Sequence, residues 1–518
     1  MLVGKVGRDA PIGLELCLTQ AYIEIAAGVQ IHFRCAVSGE FIVRKYLFAI
    51  VACFMSTTLL AADPPEPTFR AGAATSNITP ALGSAIIGGF LPIPATNVHD
   101  ELHARCLVLD DGKTKLALVV VDLLGIHYNV SHEARKLIEQ EAGIPATNVL
   151  ISAVHTHSAA SALGEKHFAF PQEIDEYQTF VARRIADGVR CAVNRLRPAQ
   201  LGFTTAQAPE HVFNRRWFLK PGTIPPGPFG TVDQVKMNPP AGSPDLVKPA
   251  GPTDPTVSIL AVREPDGRPI AVYSCYSLHY VGGVGHGDIS ADYYGMYCQR
   301  LERLLQGDQQ DPPMVAMMAN GTSGDINNIN FLHPRPSKKP YEQMRFVADD
   351  LAAKVQAALA DVKYSDRPTL AARYREPVIA TRRPSPEQMA WAKEMLAKPG
   401  KPDVPRVYAQ RFEEMARGAA SVPTPLQVLR IGDVCIGSLP NEIFCEIGLE
   451  FRRRSPVQPA FLVSLAHGYF DYLPTPEQHE LGGYETWLAT NRLEPKASEK
   501  LLSALLEMAA EVRPAAAE

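Results

Sequence analysis

The sequence predicts an α/β fold, with mixed sheets and helices packed on them. Three observations carry that expectation. Short apolar runs such as Lys115-Leu-Ala-Leu-Val-Val-Val-Asp122 alternate with longer amphipathic stretches such as 173–196. Two pairs of runs are joined by Asp-Gly turns, Asp111-Gly112 and Asp266-Gly267, the signal of a β-hairpin. Several runs also end abruptly in residues that bind metals or move protons. Hydrophobic residues make up 46% and charged residues 20%, as in a globular protein. The formal net charge of −4 gives no electrostatic case for binding nucleic acid. The 44 prolines point to long, rigid loops, and no internal repeat is visible.

The N-terminal region stands apart. Arg44-Lys45 precedes the apolar run Tyr46–Leu60, followed by Ala61-Ala62 and the polar Asp63-Pro-Pro-Glu-Pro67. That is the layout of an export signal, and the run is too short to span a bilayer comfortably. Residues 1–62 are therefore expected to be a leader with the signal at about 44–62, and 63–518 the functional body. Export to a periplasm or the outside follows. Ile50-Val-Ala-Cys53 loosely matches a lipoprotein cleavage box, the alternative route. The odd leader 1–43 suggests a true start downstream of Met1. Six cysteines follow the expected cleavage point, with no C-x₂-C pair, which argues against a cysteine zinc site.

In chain order, 69–80 reads as a short strand. The hairpin 103–110/115–122 follows, and Asp122 is either a functional carboxylate or a turn cap. Ser131 is a plausible N-cap for a helix to Ala142. The strand 148–157, Asn-Val-Leu-Ile-Ser-Ala-Val-His155-Thr-His157, places two imidazoles on one face by its period of two. A helix over 173–196 and a strand over 199–206 come next, then Asn214-Arg215-Arg216-Trp217 in a loop. Residues 219–255, rich in Pro and Gly without periodicity, read as an ordered surface loop or lid. The hairpin 256–263/270–279 ends in His279. Gly282–Gly287 lacks the context of a phosphate-binding loop, and Ser290-Ala-Asp292 opens a helix to about Leu305. The strand 314–319 runs into Asn320-Gly-Thr-Ser-Gly-Asp325, which lacks nucleophile-elbow spacing. Helices are expected over 341–361 and through much of 385–418. The strand pair 428–432/434–439 runs into Pro440-Asn-Glu442, a strand-to-helix junction where Glu442 would also suit a helix N-terminus. The strand 460–466 leads to Tyr469 and Tyr472, and a C-terminal helix covers about 494–512.

Strands thus end at or near His155/His157, His279, Asp325, Glu442 and Tyr469/Tyr472. If they share a sheet system and direction, these ends converge on one rim. Two histidines and a carboxylate are a common catalytic zinc set with a position left open for water.

Taken together, these motifs resemble the neutral/alkaline, non-lysosomal ceramidase family. The likeness runs through His155-Thr-His157-Ser, Asn214-Arg215, His279, Asn320-Gly-Thr-Ser-Gly-Asp325, Leu439-Pro-Asn-Glu442 and Gly468-Tyr-Phe-Asp-Tyr472-Leu-Pro-Thr475. The motifs span about 65–490 in the family's order. The resemblance implies a mixed-sheet zinc hydrolase domain that cleaves the amide of an N-acyl, ceramide-like lipid, which would bring it to a membrane surface. Carried over by position, the Zn²⁺ ligands are His155, His279, Glu442 and Tyr472. His157 and Arg215 match residues that hold substrate or oxyanion; Tyr469 and Asp325 complete the candidate catalytic set. Two features depart from the family. Asn327 stands where the family has a serine, and only 34 residues follow Tyr484, too few for the family's immunoglobulin-like C-terminal domain. Three readings stay open: a zinc amidohydrolase of a lipid-like substrate, a zinc hydrolase of an ester or non-lipid amide, and a non-catalytic binding protein on a hydrolase fold.

Overall fold

The computed structural model describes residues 69–160, 162–164, 173–401 and 403–514. The leader, its signal and the Cys53 box lie outside the described residues. Three mixed sheets carry the rest. The first unit runs β1 (Arg70–Asn77), β2 (His103–Asp110), β3 (Lys115–Val121), α1 (Tyr128–Ala142), β4 (Val149–Ala153) and α2 (Glu176–Asn194). The second runs β5 (Gln200–Gln207), β6 (Thr256–Arg263), β7 (Pro269–Tyr276), α3 (Asp292–Leu304), β8 (Val315–Asn320) and α4 (Glu342–Leu359). The third begins with β9 (Leu370–Arg375) and takes in an insertion, α5 (Pro386–Ala397) and α6 (Val404–Arg417). It continues with β10 (Leu426–Ile431), β11 (Val434–Ser438), α7 (Cys445–Arg454), β12 (Ala460–Val463), the short α8 (Pro476–Leu481) and α9 (Ala497–Glu511).

In each unit three strands pair antiparallel in sequence order, a helix crosses over, and the fourth strand adds parallel to the third. The same succession therefore occurs three times, although no repeat is visible in the sequence. Strand direction explains why this matters. The third and fourth strands of each unit point the same way, so their carboxyl ends lie side by side, where parallel strands commonly place functional loops. The converging ends come from three sheets, not from the single sheet system that their recurrence suggested.

The alternation of side chains accounts for the packing of the first sheet. Leu107, Leu109, Leu116, Leu118 and Val120 face the large core shared with the other sheets. Their neighbours Cys106, Val108, Ala117, Val119 and Val121 face a second cluster under α1 and α2. With both faces buried, such strands read as unbroken apolar runs, and burying each large side chain stabilises the fold by about 1.5–3 kcal/mol.

Several local readings change. Ser131 lies inside α1; the cap is His127, whose Nδ1 accepts from the Asn129 N–H at 3.2 Å. A ring nitrogen serves here where a hydroxyl was expected. Asp175 and Gln178 form a capping box at the start of α2. Residues 219–255 are not wholly a loop: 235–237 and 246–249 pair with 216–219 in a three-stranded sheet. Strands of three and four residues are too short to show a period. Helix α3 starts at Asp292 without a side-chain cap, and Asp292 instead accepts the N–H groups of Val281, Gly282 and Tyr293. Asp122 is a structural carboxylate, paired in the core with Arg105 and accepting the His103 N–H at 2.9 Å. The six described cysteines are all free, and five of them are buried.

Candidate metal centre

The strand that carries the histidine pair ends at Ala153. His155 and His157 follow in a turn, so alternation along a strand does not set their directions. His155 adopts a φ of 77°, left-handed backbone that is uncommon for a residue with a side chain. The turn brings the second ring back to the first: the planes meet at 85° and the two Nε2 atoms lie 3.2 Å apart. His279, from the loop after β7, joins them. The ligand nitrogens of His155, His157 and His279 all lie within 4.8 Å of one another.

Hydrogen bonds settle which nitrogen of each ring carries the proton. His155 Nδ1 faces the carbonyl oxygen of Leu124 at 2.7 Å, and His279 Nδ1 faces that of Ser323 at 3.0 Å. A carbonyl can only accept, so both Nδ1 atoms donate, and in the neutral rings both Nε2 atoms present lone pairs inward. His157 is hydrogen-bonded to the backbone of Gly88. Burial, together with neighbouring positive charge, pushes His157 and His279 well below the ordinary imidazole value. A cation between the rings would satisfy lone pairs aimed at one point, as would a proton shared by the His155 and His157 Nε2 atoms.

Glu442 closes the same space. It sits after β11 in a two-residue parallel pairing with Tyr472, and the N-cap of α7 is Phe444, so the carboxylate does not cap that helix. Its Oε1 accepts from the Tyr469 O–H at 2.9 Å. Its Oε2 lies 3.2 Å from His155 Nε2 and 3.7 Å from His279 Nε2. Those nitrogens have no proton to give, and Oε2 is left without a donor. Burial opposes the charge on Glu442, but its neighbours, the Arg215 guanidinium among them, hold the carboxyl below its ordinary value. Gly324 permits this placement: a Cβ there would come within 2.5 Å of the Glu442 carbonyl oxygen.

Arg215 faces the centre from the loop ahead of the small sheet. Its Nε donates to Glu485 at 2.9 Å, while its buried Nη2 has no partner. Its guanidinium lies 5.4 Å from the centre of the Tyr472 ring. Burial and the Glu442 carboxylate push the Tyr472 phenol well above its ordinary value, against the opposing pull of Arg215. The three histidines, Glu442, Arg215, Tyr469 and Tyr472 line one cavity of about 1030 Å³, whose walls include Ile87, Phe90, Leu124, Tyr177 and Trp487. Asp325 does not line it. It is buried behind the centre, accepting from Asn214 Nδ2 at 2.7 Å and the Cys445 N–H at 2.8 Å, and burial pushes its carboxyl up to about 7.

Seven of the eight candidate residues thus meet at the cavity, and the eighth braces the loops beneath it. The residues that fit a cation by their donors are the three imidazoles with Glu442. The ligand set implied by resemblance also includes Tyr472, whose phenol lines the same cavity beside Glu442 and Arg215. Sequence reasoning missed Glu485, which anchors Arg215 and Arg216, and Tyr280, whose ring stacks on His157 at 3.7 Å. Glu485 offered no motif; Tyr280 follows His279 directly and could have been noticed.

No protein-family model matches this sequence. Solved structures do match its fold. A neutral ceramidase from Pseudomonas aeruginosa is similar over 86% of this chain and 74% of its own, at 17% identity and a TM-score of 0.65. A ceramidase complexed with C2 is similar over 86% of this chain and 75% of its own, at 17% identity and a TM-score of 0.63. Three mixed sheets whose parallel ends meet at a histidine cluster are, on this likeness, the fold of the neutral ceramidases.

Proposed function

We propose that this chain is a zinc-dependent hydrolase that cleaves the amide bond of an N-acyl, ceramide-like lipid. One observation carries the reading: three imidazoles, two buried and one half-buried, converge beside a carboxylate oxygen that has no donor. Such a donor set, nitrogen-rich with one carboxylate and fixed by second hydrogen bonds, suits Zn²⁺. When bound, zinc supplies Lewis acidity and a water acidified toward neutral pH. The likeness to ceramidase structures supports the same chemistry.

The chain's own residues have definable parts. Leu124 and Ser323 orient the His155 and His279 rings through their carbonyls. Arg215 stays charged, and its free Nη2 can donate to an oxygen of the scissile amide, whose negative charge grows as the carbonyl carbon is attacked. Tyr469 holds Glu442 by one oxygen and leaves the other directed at the imidazoles. The apolar stretch of the wall gives an acyl chain a place out of water. Export belongs to the same proposal, supported by the signal-like run at 44–62.

Metal analysis of the purified protein, together with hydrolysis of an N-acylsphingosine, tests this. About one zinc per chain and amide turnover that a chelator abolishes are expected. A fully folded protein without bound metal, or turnover indifferent to chelation, would overturn it. Sequencing the N-terminus of protein recovered after expression with its leader should give a start near Asp63.

A further inference from the structure

We propose that Asn238 and Lys236 form a recognition wall that reads an anionic oxygen group, such as a carboxylate, sulfonate or phosphate, on the amine half of the substrate. The inference rests on the amide-hydrolase reading and narrows its substrate class.

It begins at Asn327, the amide that replaces the expected serine. The Ile329 N–H donates to one terminal atom of the Asn327 side chain at 2.9 Å. An N–H can only donate, so that atom is the oxygen. The other atom is therefore the nitrogen, and it donates to Asn238 at 2.6 Å. The Asn238 atom that it meets must be oxygen, which leaves the Asn238 NH₂ unspent on this contact. Asn327 does not line the cavity, but Asn238 does. The Asn238 backbone is fixed as well: its N–H donates to the Arg215 carbonyl at 2.8 Å, and its φ of 47° is one that Asn tolerates. A donor is thus held in a set orientation beside the residue that faces the metal centre.

Lys236 lies two residues earlier, on the strand 235–237, and lines the same cavity. It is half-buried and has no carboxylate partner among the described residues. None of the acids that line the cavity is paired with Lys236 among the described residues. Asp233 accepts from Trp487 Nε1 at 2.9 Å, Asp471 pairs with Arg492, and Asp175 caps α2. Glu176 is left exposed at the lip. The wall made by 236 and 238 therefore offers donors, one of them charged. A hydroxyl could satisfy Asn238 but would leave the ammonium unpaired. An anionic oxygen group accepts from both, and charge-assisted hydrogen bonds are the stronger kind.

The test uses the full-length zinc-loaded protein and three substrates with one acyl chain: an N-acylglycine, its methyl ester and an N-acylethanolamine. For the wild type, kcat/KM for the acylglycine should exceed that of the neutral pair by about tenfold, mainly through KM. In Asn327→Asp the new carboxylate still accepts from Ile329, yet offers Asn238 only acceptors. The Asn238 amide then turns round and presents its oxygen to the cavity. The ratio of anionic to neutral turnover should fall by about tenfold in this variant and again in Lys236→Met. Lys236→Met sits on a half-exposed strand and keeps the test open if Asn327→Asp does not fold. An unchanged ratio in the folded variants, or a wild type indifferent to the charge, overturns the proposal alone. Turnover of an N-acylsphingosine with none of the three also overturns this proposal alone, and turnover of none of the four overturns the amide-hydrolase reading and this one with it.

Discussion

Replacing Glu442 with Gln should make the metal-free protein more stable while abolishing metal binding. The carboxylate is buried, and its Oε2 has no donor although two imidazole nitrogens lie 3.2 and 3.7 Å away. Leaving a buried polar group unsatisfied costs about 1–3 kcal/mol, and more for a charged one. Glutamine keeps an oxygen for Tyr469, whose O–H donates at 2.9 Å. Its NH₂ can donate to the lone pair of His155 Nε2. Against this gain stands the lost attraction to Arg215, which is softened because Arg215 keeps Glu485 at 2.9 Å. The net gain should be about 1 kcal/mol from these terms. Urea unfolding of chelator-stripped protein, followed by circular dichroism, measures it, and zinc titration of the same samples measures the other side. A stripped variant less stable than the wild type, or one that still takes up zinc with wild-type affinity, would refute the reasoning.

Three other perturbations probe the supports of the centre. Asp122→Asn leaves Arg105 buried without its charge partner and should cost about 3–5 kcal/mol in urea melts, with turnover per folded molecule retained. Gly324→Ala drives a Cβ against the Glu442 carbonyl; a loss of about 1–3 kcal/mol should come with a fall in zinc affinity, read by competition with a chromophoric chelator. Asp325 has a folded-state value of about 7, above the ordinary carboxylate value near 4. The folded state therefore binds the extra proton, and this residue's contribution to stability is lost as pH rises from about 4 to 7. With Asp325→Asn the single remaining side-chain oxygen cannot serve both the Asn214 amide and the Cys445 N–H. That variant should be less stable overall yet show a flatter urea midpoint across the same pH window.

The strands were legible because they are buried on both faces: β3 and β8 are unbroken apolar runs whose ends are easy to see. Their assembly was not legible, because pairing into three separate sheets depends on contacts between distant segments. The chemistry at the strand ends could be listed from residue types alone, but not the way the residues meet. His155 and His157 share a site because of a left-handed turn, where the alternation of a strand suggested another cause. Asp325 looked like its neighbours in the motif, and only the packing shows that it points at Asn214 and the start of α7. Asn238 was invisible, being an isolated polar residue in a stretch without periodicity.

The donors of the centre are divided among the three topological units. His155 and His157 follow the fourth strand of the first unit, His279 the third strand of the second, and Glu442 the third strand of the third. Within the described residues, no unit contains a complete chelating set. Coordination would thus be a property of tertiary closure and not of any local segment, and an ion held there would add a link between three sheets that already share a core. Its stabilisation of the folded state, about 4 kcal/mol at a free concentration a thousandfold above Kd, would act on the mutual docking of all three at once. Metal supply would then govern how cooperatively this large chain unfolds as well as whether it reacts.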